Sequence, residues 1–249
     1  AGDVYLSIEA LSGSAYADSL RGDAMANRLS GRAGDDTLEG GGGADTLDGG
    51  EGSDAASYAG SAVAVTVDLG SGTVIGGDAT GDLLIAIEDL IGSAYADRLT
   101  GNAGANRLEG GAGADTLGGG AGNDTAAYRS ASTGVTADLA LIVAATGDAA
   151  GDVYSSVENL AGSGYADRLY GDAQANRLDG GTGADALDGR AGDDTLDGGA
   201  GADSLTGGAG LDAASYHSAA AGVSADLQAP GANTGDAAGD AYETIENLL

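Results

Sequence analysis

Residues 31 to 57 read GRAGDDTLE (31–39), GGGGADTLD (40–48) and GGEGSDAAS (49–57). Every nine residues repeat the same roles: glycine at places one and four, a carboxylate at place six, leucine or alanine at place eight. Glycine permits left-handed or crowded backbone angles, so six residues can close a tight turn whose carbonyls converge. The next three, such as Thr46, Leu47 and Asp48, make a short strand in which only the middle side chain points inward. Stacked half-coils of this kind give an inner leucine ladder and two edge rows of place-six carboxylates. Acids stacked about 4.8 Å apart repel one another unless a cation lies between them. A hard ion that takes six to eight oxygens from aspartates and carbonyls suits such rows, which points to calcium.

Arrays in this register occupy residues 13–57, 92–127 and 162–215, as five, four and six nonapeptides. Their place-six residues, the candidate metal ligands, are Asp18, Asn27, Asp36, Asp45 and Asp54, then Asp97, Asn106, Asp115 and Asp124, then Asp167, Asn176, Asp185, Asp194, Asp203 and Asp212. The pattern resembles the repeats-in-toxin (RTX) nonapeptide, G-G-x-G-x-D-x-U-x, a calcium-binding parallel β-helix repeat. The expected fold is all-β: a right-handed parallel β-roll in three stacked blocks, with non-repeat strands between them. Pairs of acids two half-coils apart predict about nine calcium ions. The resemblance also implies a secreted protein, exported through a type I channel of a Gram-negative bacterium.

The first two nonapeptides of each block depart from the pattern. Tyr16, Tyr95 and Tyr165 replace the place-four glycine, and Asn27, Asn106 and Asn176 offer a carbonyl oxygen without charge. Those turns are expected to be structural, with weak or no calcium.

A longer repeat encloses the arrays. AGDVYLSIEAL (1–11), TGDLLIAIEDL (80–90), AGDVYSSVENL (150–160) and AGDAYETIENL (238–248) divide the chain into superunits at 1–79, 80–149 and 150–237, with a fourth beginning at 238–249. Only the number of nonapeptides varies, as expected if each is a half-coil that can be inserted without disturbing its neighbours. The odd count in the first block predicts an exit from the edge opposite to that of the other two. Counting back nine places Glu9, Glu88 and Glu158 at place six, so the coil begins before the glycines do.

Each closing segment opens on Tyr58, Tyr128 or Tyr216, read as caps over the ladder. Alternation at Val63, Val65 and Val67, at Val135 and Ala137, and at Val223 and Ala225 predicts strands that continue the sheet or cover its end. The turns GDATGD (77–82) and GDAAGD (147–152 and 235–240) put Asp82, Asp152 and Asp240 at a carboxylate place. Place-nine acids, Glu39, Asp48, Asp179, Asp188 and Asp197, are read as a solvated face. The place-seven arginines Arg28, Arg98, Arg107, Arg168 and Arg177 would pair with them across strands.

The net charge is −30, and a chain so acidic and poor in large apolar residues cannot offset its ordering entropy and self-repulsion unaided. Folding linked to metal binding follows. Glycine numbers 49 without a three-residue period and proline occurs once, which excludes collagen. Without cysteine there is neither a disulfide framework nor a thiolate zinc site. No basic stripe invites nucleic acid, and no apolar run is long enough to span a membrane. Neither an initiator methionine nor a signal peptide is read.

His217 is the only histidine and has no partner pattern, so the chain is read as a non-enzyme. Ice binding would require an outward threonine ladder that place seven does not supply. The reading is a calcium-folded, rigid and elongated extracellular module. Two assignments stay open for the parent protein: an accessory region of a secreted protease or polysaccharide-modifying enzyme, and a surface-layer, adhesin or filament array whose copies associate end to end or laterally.

Overall fold

A computed structural model describes residues 8 to 249, in which short strands and four single-turn 3-10 helices are the only regular elements. The segment around Gly2 that opens the first superunit lies outside the described residues. The chain forms two compact units: Ala1–Gly111 with Asp115–Gly122, and Ala112–Ala114 with Asn123–Leu249.

Inside the blocks most strands are three residues long, such as Thr37–Glu39 and Thr195–Asp197, because the six-residue turn leaves no more. Their one inward side chain is the place-eight leucine. Leu29, Leu38 and Leu47 in the first unit, and Leu169, Leu178, Leu196 and Leu205 in the second, are fully buried. Each contributes roughly 2 kcal/mol of hydrophobic stabilisation, so the core is a ladder one leucine wide.

In the first unit, Ala10–Ser12, Arg28–Ala33, Thr46–Glu51 and Leu83–Ile85 form one parallel sheet in that order. Ser19–Arg21, Thr37–Glu39, Ala55–Ser57, Asp89–Ile91 and Arg107–Glu109 follow one another in a second. In a third, Arg98–Thr100 lies between Thr116–Gly118 and Thr66–Asp68, and Thr73–Ile75 adds the one antiparallel edge. The second unit repeats the plan. Thr125–Ala127, Asn159–Ala161, Arg177–Asp179, Thr195–Asp197, Ala213–Ala214 and Asn247–Leu248 run parallel on one side. Thr136–Asp138, Arg168–Tyr170, Ala186–Asp188, Ser204–Thr206 and Ala241–Glu243 form the other sheet.

Within a block Leu29 stands opposite Leu47 and Leu178 opposite Leu196, so two nonapeptides make one coil. At the joins the step lengthens: Leu47 meets Leu84, Ala56 meets Leu90, and Ala214 meets Leu248. Each closing segment is therefore an excursion between two adjacent rungs. Its 3-10 turn, Gly77–Ala79, Gly147–Ala149 or Gly235–Ala237, seats one fully buried alanine.

Two expectations are corrected. The odd first block does not change its exit. The last strand of every block pairs with the strand of the following IEDL-type segment: Ala55–Ser57 with Asp89–Ile91, Thr125–Ala127 with Asn159–Ala161, and Ala213–Ala214 with Asn247–Leu248. Parity is absorbed at the entry instead, since Ser19–Arg21 shares a sheet with Ala55–Ser57 whereas Arg168–Tyr170 and Ala213–Ala214 lie on different sheets. In the closing segments, Thr66–Asp68 continues the sheet by setting Val67 opposite Leu99, while Val63 is exposed and outside the strand. The third segment forms only a bridge between Ser224 and Thr234. In the earlier segments the partner strand comes from the next block's first nonapeptide.

Candidate metal sites

Two kinds of turn alternate along the chain. In the inner turns places two and four are left-handed, as at Gly41 (φ +85°) and Gly43 (φ +128°), except at place four of the 198–206 turn, Gly201. Place one needs glycine for a different reason. A Cβ on Gly180 would sit 2.6 Å from Asp185 Oδ2 and 2.7 Å from the Gly198 carbonyl oxygen. A carboxylate oxygen and a carbonyl from the next coil thus converge on a bare Cα.

The place-six aspartates form hydrogen-bonded ladders. The Asp36 N–H donates to Asp54 Oδ1 at 2.8 Å, Asp167 to Asp185 at 2.8 Å, Asp185 to Asp203 at 2.9 Å and Asp194 to Asp212 at 2.9 Å. This uses one oxygen of each carboxylate. The other, Oδ2 of Asp36, Asp45, Asp54, Asp185, Asp194, Asp203 and Asp212, is buried with no hydrogen-bond partner. Asp115 and Asp124 hold the same place with side chains as deeply buried. A buried acceptor without a donor costs about 1–3 kcal/mol, and more when charged. Burial accordingly raises the carboxyl pKa, to about 7 for Asp185 and about 6 for Asp194 and Asp203, and raises Asp45 and Asp54 as well. Among the described residues no three acidic or imidazole side chains gather around one point, so an ion here has to draw on carbonyl oxygens too. The convergence at place one supplies them. The donor set, buried carboxylate and carbonyl oxygens, suits calcium.

The other nine candidate ligands have partners within the protein. At the first turn of each block a place-two serine donates to the aspartate. Ser163 gives its N–H to Asp167 Oδ2 at 2.6 Å and its hydroxyl to Oδ1 at 2.9 Å, Ser93 does the same for Asp97, and Ser14 gives both its N–H and its hydroxyl to Asp18 Oδ2. At the second turn Asn27, Asn106 and Asn176 accept the N–H of Asp23, Asn102 and Asp172. The amide groups of Asn106 and Asn176 also donate to the Glu88 and Glu158 carbonyls. In both turns a place-two side chain takes the place-four N–H, as Ser163 does from Tyr165 and Asp172 from Gln174, so no left-handed glycine is required.

At the joins, Asp82 and Asp240 occupy the carboxylate place and accept the N–H of Asp45 and Asp203. Their remaining oxygens take a phenol: Tyr58 reaches Asp82 at 3.2 Å, and Tyr216 reaches Asp240 at 2.8 Å. Tyr128 does the same for Asp152 at 2.8 Å. Burial and the adjacent acids drive these phenol pKa values up, which keeps them protonated donors. The tyrosines are caps, as the sequence suggested, but caps that bond a carboxylate.

Arg28 pairs with Asp48 at 3.4 Å, Arg21 with Glu39 at 3.2 Å and Arg177 with Asp197 at 3.6 Å. The solvated-face reading fails for Asp197, which is fully buried and accepts the Ser218 hydroxyl at 2.9 Å. His217 is exposed. Sequence reasoning missed the place-two serines, whose only signal is serine where the inner turns carry glycine or arginine. It also did not foresee that Glu88, Glu158 and Glu246 accept the N–H of Asp54, Asp124 and Asp212, although counting back nine had marked the first two.

The profile of the RTX calcium-binding nonapeptide repeat matches in four copies, over residues 21–55, 91–126, 155–187 and 179–213. These cover just over half of the chain, which belongs to that family. No curated protein matches it. The repeat is a calcium-binding structural unit rather than a catalytic one.

Proposed function

We propose that the chain is the calcium-folded module of a secreted bacterial protein, unfolded and exportable where calcium is scarce and folded outside the cell. Calcium is held by the inner place-six aspartates, Asp36, Asp45, Asp54, Asp115, Asp124, Asp185, Asp194, Asp203 and Asp212, with carbonyls of the glycine turns. The carrying observation is the row of buried Oδ2 atoms without donors at seven of these positions. Asp18, Asp97, Asp167, Asn27, Asn106, Asn176, Asp82, Asp152 and Asp240 are structural instead, because serine, amide or tyrosine donors take the place of the ion. Three superunits, 1–79, 80–149 and 150–237, are the repeating unit of construction.

Small-angle scattering tests this reading. In chelator a disordered chain of 249 residues has a radius of gyration of about 55 Å. Added calcium is expected to reduce it at least twofold. An equally small radius in chelator and in calcium would refute the reading.

A further inference from the structure

The arrays leave one problem at each block end. Inside a block, Asp36, Asp185 and Asp194 have another acid 18 residues on to accept their N–H, and the penultimate Asp45 and Asp203 use Asp82 and Asp240, 37 residues on. The last aspartate of a block has none at that distance. Its N–H goes to a glutamate instead: Asp54 to Glu88 Oε2 at 3.0 Å, Asp124 to Glu158 Oε2 at 2.9 Å, and Asp212 to Glu246 Oε2 at 2.9 Å, each 34 residues on. The carbonyl of the same aspartate accepts the glutamate N–H in return, at 3.0, 3.1 and 3.0 Å. The rung is thus rebuilt across the closing segment with a longer side chain.

A second feature recurs two residues before each glutamate. Ala86, Ser156 and Thr244 have φ of +48°, +50° and +50°, in the left-handed region. That conformation costs a non-glycine residue about 1–2 kcal/mol and is least tolerable for a β-branched threonine. At Ala86 and Thr244 it turns the carbonyl inward. The Ala86 oxygen abuts the bare Cα of Gly49 beside Asp54 Oδ2, and the Thr244 oxygen abuts Gly207 beside Asp212 Oδ2. In the regular turns that position belongs to a place-one glycine carbonyl, as the Gly198 oxygen stands against Gly180. Strain repeated at three equivalent places, with the carbonyl aimed at the turn at Ala86 and Thr244, marks a functional constraint. Asp54 and Asp212 are fully buried, and their Oδ2 atoms point into this space without a donor.

We propose that each block closes on a calcium site of a second kind, built from its last aspartate, a left-handed carbonyl and a glutamate. The sets are Asp54, Ala86 and Glu88; Asp124, Ser156 and Glu158; and Asp212, Thr244 and Glu246. This inference rests on the reading of the arrays as calcium sites. The oxygens are hard, two are carboxylate and one is carbonyl, which matches calcium chemistry. Such an ion ties each array to the segment that begins the next superunit.

The test is native mass spectrometry of the whole chain in calcium, counting bound ions in the parent protein, Glu88→Gln, Glu246→Gln and, as an array control, Asp185→Asn. Glutamine keeps the acceptor for the aspartate N–H while removing the charge. Each glutamine variant is expected to lose one ion, and the double variant two, with an unchanged far-UV circular dichroism spectrum. Glu246 is exposed near the last strand, so its variant decides the matter should Glu88→Gln fail to fold. Glutamine variants that keep the full count while Asp185→Asn loses ions would overturn this inference and leave the array reading standing. A parent protein that binds no calcium would overturn both.

Discussion

Asp185→Asn separates the two roles a buried carboxylate can play. Asp185 is almost fully buried, its Oδ1 accepts the Asp167 N–H at 2.8 Å, and its Oδ2 lacks a donor. Desolvation first, then the neighbouring acids Asp203 and Asp167, raise its pKa from the ordinary 3.8 to about 7. About three pH units at 1.36 kcal/mol each put the penalty for keeping it charged in the metal-free fold on the order of 4 kcal/mol near pH 7.5. Asparagine removes that penalty, retains the acceptor, and sets an amide donor beside the Gly198 carbonyl. In chelator, therefore, the variant should need less of the osmolyte TMAO than the parent to reach half-folding by circular dichroism. In calcium the sign reverses. A site with Kd near 0.1 mM contributes about 2.7 kcal/mol at 10 mM calcium, so the stability gained on adding calcium should shrink by about that amount per ion lost. A variant that needs more TMAO than the parent in chelator would refute the reasoning, because the carboxylate would then be stabilising without metal.

Metal-free folding should also respond to acid. The folded-state pKa values of Asp82, Asp185, Asp194 and Asp203 lie at about 6 to 7, above 3.8, so the fold binds more protons than the disordered chain in between. Its stability rises as pH falls from above 7 towards 4, and β-structure in chelator should grow over that window; a flat titration by circular dichroism would contradict this. Tyr58→Phe removes the phenol donor to Asp82 and should cost about 1.5–3 kcal/mol in urea unfolding with calcium present, without changing the number of ions bound. Gly31→Ala places a Cβ against Asp36 Oδ2 and the Gly49 carbonyl, and should raise the calcium needed for folding at least tenfold. Gly42→Ala, whose nearest new contact is 3.7 Å away, should leave it unchanged, and equal effects of the two would argue against the place-one convergence.

The nonapeptide is so legible because one short period specifies everything in it. Place eight fills the core, place six lines the edge, and the turn between is fixed by glycine. Leu38, Leu47 and Asp45 could therefore be placed from spacing alone, and all are buried where the period puts them. The joins were less legible because their contacts do not follow that period. Tyr58 bonds Asp82, 24 residues on, and Asp54 bonds Glu88, 34 residues on, and no pattern within a nonapeptide encodes either distance. Asp18 and Asp45 look alike in the alignment of repeats, yet the first is answered by Ser14 and the second is not. That difference rests on one hydroxyl at place two. Val63 and Val67 likewise share one alternation, but only Val67 has a strand, Arg98–Thr100, to pair with.

The central claim is that the coil needs a cation to exist. Far-UV circular dichroism during a calcium titration, from chelator to about 10 mM, tests it most directly. The account predicts a disordered spectrum in chelator that converts cooperatively to β-structure as calcium rises. A chain already β-structured in chelator at neutral pH, and unchanged by calcium, would contradict it.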